Sequence, residues 1–305
     1  MSKKALIGLI VIGLIIVTSI VSMFVSMPQQ DKGVSTASNT IGVIMIEGVI
    51  GQTTNILGIP QNINDPVEQI RKAQEDNAVR AVVVKINSPG GSAAKSIEIY
   101  KELKKLKKTG KKIIVSMGDA AASGGYMVAS AGDIIVANPA TITGSIGVIM
   151  QYTNYEGLYD KLGLKEITIK SGPYKDIGSP TRDLTPEEKK ILRGVIEDTF
   201  QQFLEIVSEG RKMPIDKVKE LADGRIFTGR QALKVGLVDK LGDFYDAVDI
   251  AAKESGIQGK PVLKYYATPT PLSILFGSGA KSNLEDIGVE ILRLLFIDKY
   301  SLNYK

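Results

Sequence analysis

Residues 80–117 carry a pattern that few folds accept. RAVVVKIN (80–87) is a β-branched apolar run, SPGGS (88–92) follows it directly, Ala93–Lys108 has the composition of a helix, and Lys112–Met117 is apolar again. Strand, glycine loop, helix and strand in this order make a βαβ unit, which requires a parallel sheet covered by helices and a right-handed crossover. The pattern begins earlier in the chain. IGVIMIEG (41–48) reads as a buried strand ended by glycine, and Asp65-Pro66 ahead of VEQIRKAQED (67–76) reads as a capped helix with proline at its first position. The expected fold class is therefore α/β, built from parallel-sheet βαβ units.

The flanks differ in character. Ala5–Met27 runs 23 residues without a charge after Lys3 and Lys4. That length matches a hydrocarbon core of ~30 Å, and the two lysines orient residues 1–4 to the cytoplasm and the remainder to the extracytoplasmic side. The apolar run is longer than a signal-peptide core and no A-x-A site follows closely, so an uncleaved transmembrane helix over 5–27 is expected. Residues 28–40 read as a polar linker, 41–255 as the main domain and 256–305 as a C-terminal extension. Within the main domain LKEITIK (164–170) is expected as a strand and 171–180 as a loop. Thr185-Pro186-Glu187-Glu188 is expected to open a long helix over 184–210 with Ile191, Val195, Phe200, Phe203, Leu204 and Val207 on one face. Shorter helices are expected over 214–222, 228–235 and 244–255, with a strand in VLKYYA (262–267). Leu284–Phe296 forms a last amphipathic segment, with packing in its own domain as the default.

The chain has no histidine and no cysteine. A Ser-His-Asp triad, a cysteine nucleophile and a His- or Cys-ligated zinc are thereby excluded. Carboxylate chemistry, oxygen-ligated metals, and serine or threonine activated by lysine or an amine survive. The formal net charge is +5, with the lysines concentrated in KELKKLKKTGKK (101–112) around Leu103 and Leu106. This is a helix with a solvated basic face, and it lacks the interleaved aromatics that nucleic-acid binding would use.

Several small-residue motifs are ambiguous when taken singly. SPGGS is neither a Walker sequence nor a dinucleotide fingerprint, and it fits a plain turn, an anion site or a set of oxyanion donors. Ser123 in AASGGY fits a helix N-cap as well as a nucleophile. Ser145 in TGSIG fits a turn, and Lys175 fits one more surface lysine in a Gly/Pro-bounded loop.

As an ordered set, SPGG (88–91), MGDAAASGGY (117–126), TGSIGV (143–148), SGPYKDI (171–177) and DGRIFTGRQALKVGLVD (223–239) closely resemble the short, single-domain form of the signal peptide peptidase A family. The resemblance covers about Ile41 to Ala251 together with the N-terminal anchor. It implies a crotonase/Clp-protease-like domain preceded by one transmembrane helix, and a serine endopeptidase with a Ser–Lys dyad and no metal or other cofactor. By the same resemblance Ser123 is the nucleophile, Lys175 the base and Ser145 the group that positions the lysine, while the amides of Gly91 and Gly124 form the oxyanion hole. The partners implied are hydrophobic peptides, in particular signal peptides left in the bilayer after cleavage, and further copies of the same chain in a homo-oligomer. A membrane protease cutting a hydrophobic segment of a stomatin-like partner, and a non-catalytic crotonase-fold scaffold, are the alternatives.

Overall fold

A computed structural model of the chain describes residues 39–52 and 65–267. The expected anchor over 5–27, most of the linker and the segment 284–296 lie outside the described residues. Among the described residues no helix is long and apolar enough to cross a membrane.

The strands are β1 (Thr40–Glu47), β2 (Val79–Ser88), β3 (Lys112–Ala122), β4 (Ile134–Ala137), β5 (Ile142–Gly144), β6 (Ile226–Thr228), β7 (Lys240–Leu241) and β8 (Val262–Tyr265). The helices are α1 (Pro66–Glu75), α2 (Ala93–Lys108), α3 (Gly124–Ala129), α4 (Glu156–Leu162), α5 (Pro186–Arg211), α6 (Ile215–Leu221), α7 (Gly229–Lys234) and α8 (Phe244–Glu254). One sheet runs β6-β5-β3-β2-β1-β8, with β4 on the first half of β3 and β7 beyond it. All pairings are parallel except β5 with β6. β8 adds to the free edge of β1, so the first part of the 256–305 extension belongs to this sheet.

The continuous apolar runs follow from burial on both faces. Alternation along β2 sends Val82, Val84 and Ile86 into one core, shared with α1, α2, α3 and the end of α5. Ala81 and Val83 point into a second core closed by Ala247, Val248 and Ala251 of α8. The cap signals hold: Asp65 accepts from Val67 N, and Thr185 and Glu188 form a full capping box at α5.

Two expectations fail. Residues 164–170 form no strand. Ile167 and Ile169 are 79% and 97% exposed, so the alternating pattern is present but no strand or apolar layer among the described residues receives it. The apolar face of α5 is also buried only in part. Phe203, Leu204 and Val207 enter the core, whereas Ile191 and Val195, in the first half of the helix, stay exposed.

β3 is the pivot of the fold. Ile114–Met117 pair with β4, and Ala120–Ala122 pair with β5. Against β2 the register jumps between Ile86↔Met117 and Ser88↔Ala121, so Gly118–Ala120 bulge opposite Asn87. Asn87 Oδ1 accepts from Ala120 N at 3.1 Å and fills the missing rung. A Cβ on Gly118 would lie 3.1 Å from the Asn87 side chain, so any larger residue there would press on it. The bulge redirects the end of β3 away from β4 and toward the next motif.

Candidate active site

The site lies at the carboxyl ends of β2, β3 and β5, where ligands bind in parallel sheets. The loop after β2 is shaped by its neighbours. Ile50 clasps it from both sides, with Ile50 N donating to Gly90 O and Ser92 N donating to Ile50 O, each at 2.8 Å. This bridge spends the groups flanking Gly91, and the Gly91 amide itself has no acceptor among the described residues. A Cβ at Gly91 would sit 2.2 Å from Ile50 O, and one at Gly90 would sit 2.8 Å from both Gly124 N and Ser123 Cβ. Glycines are required here by close backbone approach. Buried Ser88 accepts from Gly90 N at 3.1 Å and steadies the turn from beneath.

Ser123 ends β3 and opens α3. Its position is that of an N-cap, yet its φ is 51° and its hydroxyl makes no cap bond. The capping reading of AASGGY is thus replaced by a serine held in left-handed backbone with its hydroxyl unspent. Ser145, at the end of the adjacent strand, has φ 49°; apart from these two serines, Lys212 alone among the described non-glycine residues has positive φ. Strain of this kind costs about 1–3 kcal/mol per residue and persists where the surroundings over-determine it. The surroundings here are specific: Ser123 N donates to Gly144 O at 2.8 Å, and Ser145 N donates to Arg225 O at 2.9 Å. Ala122 pairs with Gly144, so the two serines leave neighbouring strands side by side.

All of α3 is buried. Its first amide, Gly124 N, has no acceptor among the described residues, and a Cβ built on Gly124 would lie 3.4 Å from Gly91 N. Two unspent amides therefore flank Ser123, at the positive end of a short buried helix. Tyr126 anchors that helix, its hydroxyl donating to Leu237 O at 2.9 Å, and burial pushes the phenol well above its ordinary range. Among the described residues no group of three or more carboxylates converges to hold a metal ion.

Lys175 lies in the turn-rich stretch after residue 170 and is exposed. Its backbone N donates to Gly172 O, but no hydrogen bond joins its amine to Ser123 or Ser145 among the described residues. The structure thus brings Gly91, Ser123, Gly124 and Ser145 together and leaves Lys175 in solvent. The sequence reading missed the supports of the site: Asn87, Ser88, and Ser96, whose hydroxyl donates to Ser92 O at 2.8 Å beneath Gly124. It also took Glu188 only as an early acid of α5, although it holds the Arg182 guanidinium. The alternation of Lys170, Asp176, Arg182 and Glu188 at intervals of six residues was the available signal.

Comparison with known proteins identifies the family. The Peptidase family S49 model matches residues 105–258, and the Clp protease model matches residues 40–141. A candidate signal peptide peptidase SppA from Enterococcus faecium is 41% identical over 225 residues, covering 73% of this chain and 65% of the relative. A candidate protease from Synechocystis is 48% identical over 202 residues, covering 66% of this chain and 73% of the relative. The chloroplastic serine protease SPPA of Arabidopsis thaliana is 36% identical over 229 residues, which is 74% of this chain but 34% of the relative. The chain thus spans less than two thirds of the length of two of these three relatives. The two matched segments together contain Gly91, Ser123, Gly124, Ser145 and the loop of Lys175, and the chain belongs to Peptidase family S49.

Proposed function

We propose that the chain is a membrane-anchored serine endopeptidase that degrades cleaved signal peptides through a Ser–Lys dyad. The observation that carries this reading is Ser123, strained and uncapped between two amides that have no acceptor. Ser123 is the nucleophile. The neutral amine of Lys175 takes its proton, Oγ bonds to the scissile carbonyl carbon, and the carbonyl oxygen becomes an oxyanion held by Gly91 N–H and Gly124 N–H. Each such donor is worth about 3 kcal/mol in the transition state. Collapse breaks the C–N bond, the Lys175 ammonium returns its proton to the leaving amine, and water hydrolyses the acyl-enzyme. Ser145 hydrogen-bonds the lysine amine and keeps it in line.

A lysine acts as a base only when neutral, and an ordinary one titrates near ~10.4. Shelter from water lowers that value by up to ~3–5 units. Among the described residues Lys175 has no such shelter, and in this reading a second copy supplies it. The region around it calls for one: α4 buries no residue, and Ile149, Ile167 and Ile169 are 78%, 79% and 97% exposed. An apolar arm of this kind marks an interface. A homo-oligomer that covers it would dry the Lys175 loop, and the N-terminal apolar run would hold the assembly at the extracytoplasmic face of the membrane beside its hydrophobic substrates.

A serine-reactive probe followed by mapping of the modified residue tests the assignment. Labelling at Ser123, with cleavage of a signal-peptide substrate abolished in both Ser123→Ala and Lys175→Ala, is expected. Labelling elsewhere, or retained cleavage in either variant, would overturn it. A flat activity profile as pH rises through the neutral range would also count against a lysine base.

A further inference from the structure

Among the described residues Lys175 carries no side-chain bond of its own, yet the residue after it is the most heavily bonded carboxylate of the loop. Arg182 Nε and Nη2 donate to the two oxygens of Asp176 at 3.1 and 2.9 Å. On its other side Arg182 reaches Glu188, with Nη1 to Oε2 at 2.8 Å and Nη2 to Oε1 at 2.5 Å. Nη1 also donates to Asp183 O at 3.0 Å and Nη2 to Asp176 O at 3.3 Å, so all the guanidinium donors are spent within this loop and helix start. Lys170 approaches Asp176 from the other end, at 2.6 Å to Oδ1, and caps Pro173 O at 3.1 Å. The Glu188 side chain is only 2% exposed, and it also accepts from Thr185 N at 2.9 Å in the cap of α5.

The loop is thus gathered around Asp176 and fixed, through one planar fork, to the first turn of a long helix. Two bidentate pairs on one guanidinium hold direction as well as distance, which a lysine cannot do. A loop that merely needed to be soluble would not require this. A loop that must deliver one amine to a reacting hydroxyl does, since a misplacement of about 1 Å costs about 100-fold in rate.

We propose that Arg182, acting through Asp176, is the positioning residue for Lys175, locking the base-bearing loop to the start of α5. The proposal rests on the Ser–Lys reading above and deepens it. The charged groups gathered at this loop are Lys170, Asp176, Arg182, Asp183 and Glu188. The carboxyls of Asp176 and Glu188 are held well below their ordinary range by the Arg182 fork, so the clamp stays fully charged across any pH at which a lysine base would titrate.

The test uses the full chain in detergent with a fluorogenic signal-peptide substrate. Arg182→Gln and Asp176→Asn each lower kcat by about 10- to 100-fold with KM little changed, and Arg182→Lys does not restore the rate. In the assembly proposed above, where a second copy covers the Lys175 loop, the rising limb of the kcat–pH profile also moves to higher pH, because an amine that the clamp no longer holds leaves that shelter. Loss of folded enzyme would scale the profile without moving its midpoint. Asp176→Asn leaves the Arg182–Glu188 pair and the cap of α5 intact, which covers the case in which Arg182→Gln does not fold. A midpoint that stays in place in both variants, while Lys175→Ala remains inactive, overturns the proposal alone. Full cleavage by Lys175→Ala overturns the dyad and this proposal together.

Discussion

Gly124→Ala separates what the site needs for stability from what it needs for chemistry. Gly124 does not have positive φ, so alanine is free to adopt its backbone, and at the start of α3 it would gain helix propensity of up to about 1 kcal/mol. The space decides otherwise. The new methyl would lie 2.3 Å from Ser96 Oγ and 3.3 Å from Ser96 Cβ. Ser96 is wholly buried, and its hydroxyl is committed to Ser92 O. Overpacking of this kind costs about 1–3 kcal/mol, and the displaced hydroxyl forfeits a bond worth about 1 kcal/mol. Net destabilisation of about 1–3 kcal/mol is expected from urea unfolding at constant m-value. In a Ser96→Ala background the offending oxygen is gone, and the same substitution should cost less than about 1 kcal/mol. Cleavage should not recover in the double variant, because the methyl still stands 3.4 Å from Gly91 N and narrows the space between the two amides. Additive free energies in the cycle would refute the steric account, and a double variant with full activity would refute the placement of the oxyanion.

Tyr126→Phe leaves Leu237 O buried without its donor and should cost about 1–3 kcal/mol in the same unfolding assay; a neutral result would mean that the helix is held by packing alone. Glu188, drawn down to about 2 by the Arg182 fork, favours the folded state at pH above the ordinary glutamate range, ~4.3, and that contribution falls away as pH drops toward 2. Glu188→Gln should therefore flatten the acid limb of melting temperature against pH, and an unchanged limb would speak against the fork. Replacing Ile167 and Ile169 by serine should lower the mass seen by light scattering and lower cleavage with it, with little effect on the melting of the isolated subunit, because both side chains are exposed. Unchanged mass would show that the arm is not the interface.

The central layers of the fold could be read from the chain because their burial is two-sided and their caps are local. Asp65, Ser92 and Thr185 each accept a backbone N–H within three residues, and helix starts follow from that short-range chemistry. β5, β6 and β7 were not legible. They have two or three residues each, and their partners lie far away in sequence. The Gly118–Ala120 bulge was hidden for the same reason, since it exists only against Asn87. LKEITIK misled because alternation reports a surface that wants covering without saying what covers it. At the site, motif order singled out Ser123 and Ser145, but their left-handed backbone is held by bonds to Gly144 and Arg225 and has no signature in either motif. The exposure of Lys175 is likewise a property of the loop's environment within one copy, which spacing does not encode.

The switch of β3 from β4 to β5 has a consequence for biosynthesis. The Ser123 amide waits on Gly144, and the Ser145 amide waits on Arg225, which follows the long helix and stands beside β6. A ribosome-bound chain that has already made the AASGGY turn still lacks the strand that holds Ser123 in left-handed backbone. On the proposed reading, the shaped site arrives only with closure of this sequence-distant rung, so an unfinished copy still lacks it.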